Sequence, residues 1–289
     1  MAGRRPDSSG SLLNMSLSAS AEPAEPATQA RLDLAVSSAR AAGLATLQWF
    51  RQAALAVERK GDGSPVTAAD RAAESLLREQ IAAQFPDDAI LGEEFGEKPG
   101  TSPYRWVVDP IDGTKSFISG VPLYTTLVAV LKDDEPLVGV IYSPATNEIV
   151  YAAAGGQTWY ENGDGRTIPA RVSQTERLAE ATFVTTELTT FDTVGEKGSR
   201  GVYNQLEKAC RLSRTWGDAY GYMLVATGRA DVMIDPVVNL WDAAALQPVI
   251  EGAGGHYSDW QGRPSVHTGN AVATNPKLAG LVLSITREG

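Results

Sequence analysis

Between Arg105 and Thr114 the chain passes from an unbroken apolar stretch straight into paired acids. Trp106, Val107 and Val108 have no polar residue among them, the pattern of a strand buried on both faces. Pro110 has no N–H to give to a ladder, so the strand is expected to end at Asp109. Asp109 and Asp112 then stand three residues apart at the open end of that strand. Carboxylates that close repel unless a cation lies between them. Gly113, Thr114, Lys115 and Ser116 read as a helix start, whose free backbone N–H groups suit an anion. One short segment thus offers cation ligands beside an anion cradle, the pairing that metal-assisted hydrolysis of a phosphate ester needs.

The rest of the composition narrows the choice of metal and partner. The chain has 289 residues, enough for a large core or two subdomains, and a formal net charge of −10. An acidic surface argues against nucleic acid, whose phosphates need Lys/Arg patches. It conflicts with a phosphate-ester substrate only until several acids are given to metal ions, because bound cations invert the local charge. Cys210 is the single cysteine and His256 and His267 the only histidines, so no internal disulfide forms and a Cys/His zinc site is nearly excluded. A metal here must be held by oxygen, which points to Mg²⁺ or Mn²⁺, and the single cysteine fits a cytoplasmic setting. No apolar run approaches the roughly 18 residues of a membrane helix.

Residues 1–28, rich in Ser, Ala, Pro and Glu, read as a disordered tail. They lack the apolar core of a secretory signal, and Met15 offers a second start. Apolar residues at helical spacing predict a first helix over 29–58 and a second from about Thr67 to Phe85. From Ala89 the pattern becomes strands, with turns at 132–136 and 143–147 that imply an antiparallel meander. The second half alternates strands and helices, including a helix over 241–251 and a last one capped by Asn275-Pro276. Layers of helix and sheet follow, an α/β (α+β) architecture, with an N-terminal half over 29–165 and a C-terminal α/β half over 166–289.

Each acid has a plain alternative. Glu93 and Glu94 could be solvated loop carboxylates. Asp242 suits the start of a helix on dipole grounds. Thr67-Ala68-Ala69-Asp70 has capping-box spacing, and Asp218 would serve as a helix N-cap. A serine or cysteine nucleophile is not supported: no Gly-x-Ser-x-Gly elbow occurs and Cys210 sits in a helical pattern.

Asp109-Pro110-Ile111-Asp112-Gly113-Thr114 resembles the signature of the inositol monophosphatase superfamily. Gly92-Glu93-Glu94 upstream and Trp241-Asp242-Ala243-Ala244 with Glu251-Gly252-Ala253-Gly254-Gly255 downstream match in order. The resemblance implies the α-β-α-β-α sandwich of the inositol monophosphatase and fructose-1,6-bisphosphatase type, with the site between the halves, and a homodimer. It implies two or three Mg²⁺ held by Glu93, Asp109, the Ile111 carbonyl, Asp112 and Asp242. Glu93 and Thr114 would remove the proton of the attacking water, Asp70 would reach metal-bound water, and Glu94 would stand behind Glu93. Two such ions about 3.5–4 Å apart activate water and steady the leaving alkoxide, with no covalent phosphoenzyme. Asp112, Gly113, Thr114 and Asp242 would also meet the substrate.

Trp216-Gly217-Asp218 and Asp235, with Pro236 and Ala245-Leu246-Gln247-Pro248, look like the histidinol-phosphate phosphatase branch. Histidinol carries an ammonium and an imidazole, and Asp218 and Asp235 would pair with those groups. The expectation is a Mg²⁺-dependent phosphomonoesterase of histidine biosynthesis acting on L-histidinol phosphate. The alternatives are inositol-1-phosphate, a nucleotide 3′-phosphate, or a catalytically silent scaffold with the same fold.

Overall fold

The computed structural model describes residues 25–52, 56–59, 61, 65–193 and 199–288, so the predicted tail before Glu25 lies outside them. In chain order the helices are α1 (Pro26–Thr46), α2 (Ala68–Gln84), α3 (Thr114–Ile118), α4 (Thr190–Thr193), α5 (Ser199–Ala209), α6 (Ala219–Ala226), α7 (Leu240–Ala243), α8 (Leu246–Gly252) and α9 (Pro276–Thr286). The strands are β1 (Val57–Arg59), β2 (Pro65–Thr67), β3 (Ala89–Gly92), β4 (Gly96–Lys98), β5 (Tyr104–Asp112), β6 (Thr125–Lys132), β7 (Glu135–Ser143), β8 (Glu148–Ala153), β9 (Trp159–Glu161), β10 (Thr167–Pro169), β11 (Thr182–Val184), β12 (Leu212–Arg214), β13 (Val232–Asp235), β14 (His256–Ser258) and β15 (Ala271–Thr274).

The alternation of side chains along the strands builds the layers. In β5, Trp106 and Val108 face a core shared with α1 and α2, where Ala35, Ala39, Leu77 and Ile81 are buried. Val107 faces the other way, into a core shared with α6, α8 and one face of the second sheet. In that second sheet Met233 and Ala273 join the central core, while Val232, Ile234 and Val272 turn to α5 and α9. The result is helix, sheet, helix, sheet, helix: the α-β-α-β-α sandwich expected from the sequence.

Among the described residues the first large sheet has eight strands in the order β10-β9-β8-β7-β6-β5-β3-β4 and the second five in the order β12-β11-β13-β15-β14, while β1 and β2 pair separately. From β5 to β10 the first sheet is the predicted antiparallel meander, whereas β3 lies parallel to β5. That parallel pair sets Gly92 opposite Val108, so Glu93 leaves the end of β3 beside Asp109 of β5.

Several predicted boundaries move. The first helix stops at Thr46, not 58, and Arg51 then stands at φ 61°, a conformation no α-helix carries. At its other end α1 takes in 26–28 from the predicted tail, with Thr28 and Arg31 buried. The predicted helix over 241–251 is two helices, because a proline ring at 248 collides with the carbonyl four residues back, at Ala244. The first sheet extends to Pro169 through β10, past the predicted boundary at 165. Most consequential, β5 does not end at Asp109. Its pairing with β6 slips between Asp109 and Asp112 and resumes at Asp112 opposite Thr125. Such a bulge tolerates Pro110, which has no N–H to pair; its carbonyl accepts the Thr126 hydroxyl at 2.8 Å.

Asn275 caps α9 as predicted, its side-chain oxygen accepting from Lys277 N at 2.9 Å and Leu278 N at 3.0 Å. Asn275→Ala should cost about 1 kcal/mol and lower Tm by about 2–4 °C in a protein of this size; calorimetry on the two proteins checks this.

Candidate active site

The slipped end of β5 is where the acids collect. Asp109 is 2 % and Asp112 7 % exposed. With Asp242 they place one oxygen each within 4.8 Å of one another. Glu93 lies against the same group: a hydrogen bond and its charge both act on Asp109. Four acids from β5, the β3–β4 turn and α7 thus meet in one place.

Asp109, Asp112 and Asp242 are steered by local donors. Asp109 Oδ1 accepts from Ile111 N at 3.0 Å across the bulge. Asp112 Oδ2 accepts from the Thr125 hydroxyl at 2.9 Å and from Ala219 N, the first residue of α6, at 2.7 Å. Asp242 Oδ2 closes a capping box, taking Asn239 N at 2.7 Å and Asn239 Nδ2 at 3.1 Å. Asp242 thus caps α7 and at the same time stands in the acid cluster.

Asp70 shows the same doubling. Its Oδ2 accepts Thr67 N at 2.8 Å and the Thr67 hydroxyl at 2.6 Å, the capping box predicted from the spacing. Its Oδ1 is buried with no hydrogen-bond partner among the described residues. Glu93 is close enough for its charge to bear on Asp70. An orphaned buried carboxylate oxygen beside a cluster of acids fits a donor set waiting for hydrated cations. The donors are all oxygen, as hard divalent ions require.

Gly113 follows with φ 87°, and a side chain there would bring Cβ within 2.7 Å of Asp218 Oδ2. Glycine is needed both for the left-handed turn and for the close approach of Asp218. Thr114 Oγ1 donates to the Ile111 carbonyl at 3.1 Å. Its only proton is thereby spent, and what it offers a water is a lone pair.

The two proposed specificity acids separate. Asp218 heads α6 but makes no side-chain cap bond; its carboxylate lies against Gly113, under the influence of Lys115 and Glu187. Asp235 is 4 % exposed and its oxygens are taken: Oδ1 by Thr186 N at 3.0 Å and the Thr185 hydroxyl at 3.2 Å, Oδ2 by the Tyr222 hydroxyl at 3.0 Å. Asp235 thus holds the segment that bears Glu187 and does not open to a substrate. Glu187, which the sequence reading passed over, forms an ion pair with Lys115 at the rim. Cys210 packs against the outer C-terminal core, where burial pushes its thiol up to about 11.

Crowding appears in the proton affinities. Burial first, then the charges of Glu93, Asp112 and Asp242, hold Asp109 well above the usual carboxylate range. Burial, then Asp218 and Asp242, do the same to Asp112. Burial and Glu93 raise Asp242 to about 7 despite the Asn239 bonds. Burial likewise raises Asp235 to about 7.

A buried cluster of acids beside a glycine turn, at the joint of a five-layer sandwich, offers oxygen donors that could hold a divalent metal. The inositol monophosphatase family matches residues 28–289, and the chain belongs to it. It is accordingly a phosphatase, a hydrolase of phosphoric monoesters, in a family whose enzymes use divalent metals. It is 42 % identical over 249 residues to a histidinol-phosphatase of Chlorobaculum parvum, covering 86 % of this chain and 93 % of that one. A histidinol-phosphatase of Streptomyces coelicolor is 38 % identical over 260 residues, again covering 86 % and 93 %. An inositol monophosphatase structure from Zymomonas mobilis superposes with a TM-score of 0.78 at 32 % identity, covering 91 % of this chain and all of that one. Among the described residues no helix is long and apolar enough to cross a membrane.

These raised affinities set a pH dependence. A group bound more tightly to its proton when folded contributes stability that is complete below its unfolded pKa and lost as pH rises through the folded one. With divalent ions chelated, Tm should therefore fall as pH rises from about 5 to about 8, and added Mg²⁺ should recover more of it at the upper end. A thermal-shift series that is flat or rising in chelator would contradict this account of the cluster.

Proposed function

We propose that this phosphatase hydrolyses L-histidinol phosphate with Mg²⁺, two or three ions being held by Glu93, Asp109, the Ile111 carbonyl, Asp112 and Asp242. The observation that carries the metal reading is the convergence of acids at the slipped end of β5, with three carboxylate oxygens within 4.8 Å. Bound ions supply the positive charge that activates water and offsets the phosphate. Glu93 takes the proton of the attacking water. Thr114, its own proton committed to Ile111, orients that water by accepting from it. Asp70 steadies solvent through its free Oδ1. Gly113 and Thr114 approach the phosphate through their backbone, and Asp112 and Asp242 border it. The family resemblance supports a homodimer, which sedimentation in solution would test, and the single cysteine fits a cytoplasmic setting.

For the substrate, the named relatives and the carboxylate of Asp218 beside Gly113 support a cationic leaving group. Inositol-1-phosphate and nucleotide 3′-phosphates remain the other readings, and a silent scaffold is disfavoured by the intact acid set. A panel of histidinol phosphate, inositol-1-phosphate, fructose-1,6-bisphosphate and adenosine 3′,5′-bisphosphate, each with and without Mg²⁺, decides among them. Histidinol phosphate should lead in kcat/KM; a lead by any other ester would overturn the substrate.

Asp109→Asn should abolish turnover and leave the far-ultraviolet spectrum unchanged; near wild-type activity at saturating Mg²⁺ would refute the ligand assignment. Asp218→Asn should lower kcat/KM for histidinol phosphate by roughly one to two powers of ten, the worth of a charge-assisted hydrogen bond. Glycerol phosphate, whose leaving group carries no cation, should be affected far less. Asp235→Asn should depress both esters together, because it loosens the protein and not a substrate contact.

A further inference from the structure

Glu74 is fully buried in the middle of α2, and neither the fold's cores nor the acid cluster includes it. Its Oε2 accepts from Glu94 N at 2.7 Å and its Oε1 from Phe95 N at 3.2 Å. Arg78, one turn on, donates Nε to Oε1 at 2.7 Å and also binds the Gly96 carbonyl. One carboxylate and one guanidinium therefore grip both sides of the turn between β3 and β4. That turn begins with Glu93, whose own N–H donates to the Val108 carbonyl at 3.3 Å. Gly92 completes the clamp: a side chain there would put Cβ 2.1 Å from Glu74 Oε1. The carboxylate can reach the turn only because residue 92 has no Cβ.

We infer that Glu74, with Arg78 and Gly92, is a positioning device that fixes the Glu93 turn before any cation arrives. The need follows from electrostatics. When Asp109 and Asp242 are ionised, as cation binding requires, their charge repels Glu93, and on a free turn it would swing to solvent. Two backbone N–H groups held by a buried carboxylate, itself paired with Arg78, keep the turn in place. Partners that orient ligands in this way are worth about 10–100-fold in metal affinity. The inference rests on the reading of Glu93 as a metal ligand.

The test is direct binding of Mn²⁺ to the full chain, followed by electron paramagnetic resonance, beside Tm and steady-state kinetics. Glu74→Gln removes the acceptor charge, and Gly92→Ala displaces the carboxylate without changing any charge. Both should raise the Mn²⁺ dissociation constant about tenfold or more. Leu77→Ala, in the same helix but in the apolar core, should lower Tm and leave Mn²⁺ affinity as it was. Glu74→Asp should recover part of the affinity. If the wild type binds no Mn²⁺, the ligand reading itself falls and the inference with it. If the wild type binds and both variants bind equally well, or lose affinity only in proportion to lost Tm as Leu77→Ala does, the inference alone is overturned.

Discussion

The structure turns on the mutual repulsion of carboxylates brought together at the end of a buried strand. Asp109, Asp112, Asp242 and Glu93 would each be more comfortable in water. They are held by what surrounds them: the bulge that aims Ile111 N at Asp109, Thr125 and Ala219 on Asp112, and the Asn239 box on Asp242. The strain is tolerable because the layers on either side are apolar and well filled, with Trp106, Val107 and Val108 all buried. A fold that breaks local rules in one place and keeps them elsewhere is the usual signature of a site.

Much of this was legible in the chain, for physical reasons that differ from element to element. Trp106 to Val108 read as a doubly buried strand because burial on both faces leaves no polar alternation to find. Asn275-Pro276 and Thr67-x-x-Asp70 read as caps because capping is decided within four residues. The end of β5 did not read correctly, because Pro110 forbids a regular ladder but not a bulge. Whether a bulge forms depends on β6 across the sheet. The break at Ala244 was also available in principle: Pro248 four residues on is a local signal, masked by the apolar run around it.

The site divides in the same way. Acids adjacent in sequence to a motif were found, whereas their surroundings were not. Asp235 resembled a pocket residue by position, but the Thr185–Thr186 segment and Tyr222, from β11's end and α6, close over it. Glu187 and Glu74 went unnoticed for the opposite reason. Each is an ordinary charged residue in its own segment, and each acquires meaning from a partner far along the chain: Lys115 for one, the Glu93 turn for the other. A trace of Glu74 was present all the same, since Asp70, Glu74 and Arg78 follow one another at helical spacing on one face of α2.

The same long-range dependence ties the two sheets to one another. Asp112 ends the last segment of β5, in the first sheet, yet one of its two donors is the leading N–H of α6 in the second half. α6 is in turn tied back to the first sheet through Tyr220, whose hydroxyl donates to Glu148 at 2.8 Å, while Arg229 just beyond the helix pairs with the same carboxylate at 2.7 Å. Thr158 reaches across to the Val249 carbonyl at 2.7 Å. The second half thus places Asp242 and Asp218 beside the acids of the first and supplies a donor that makes Asp112's position tolerable. The repulsion at the strand end is borne by contacts spread over both sheets, and the site exists only where they meet.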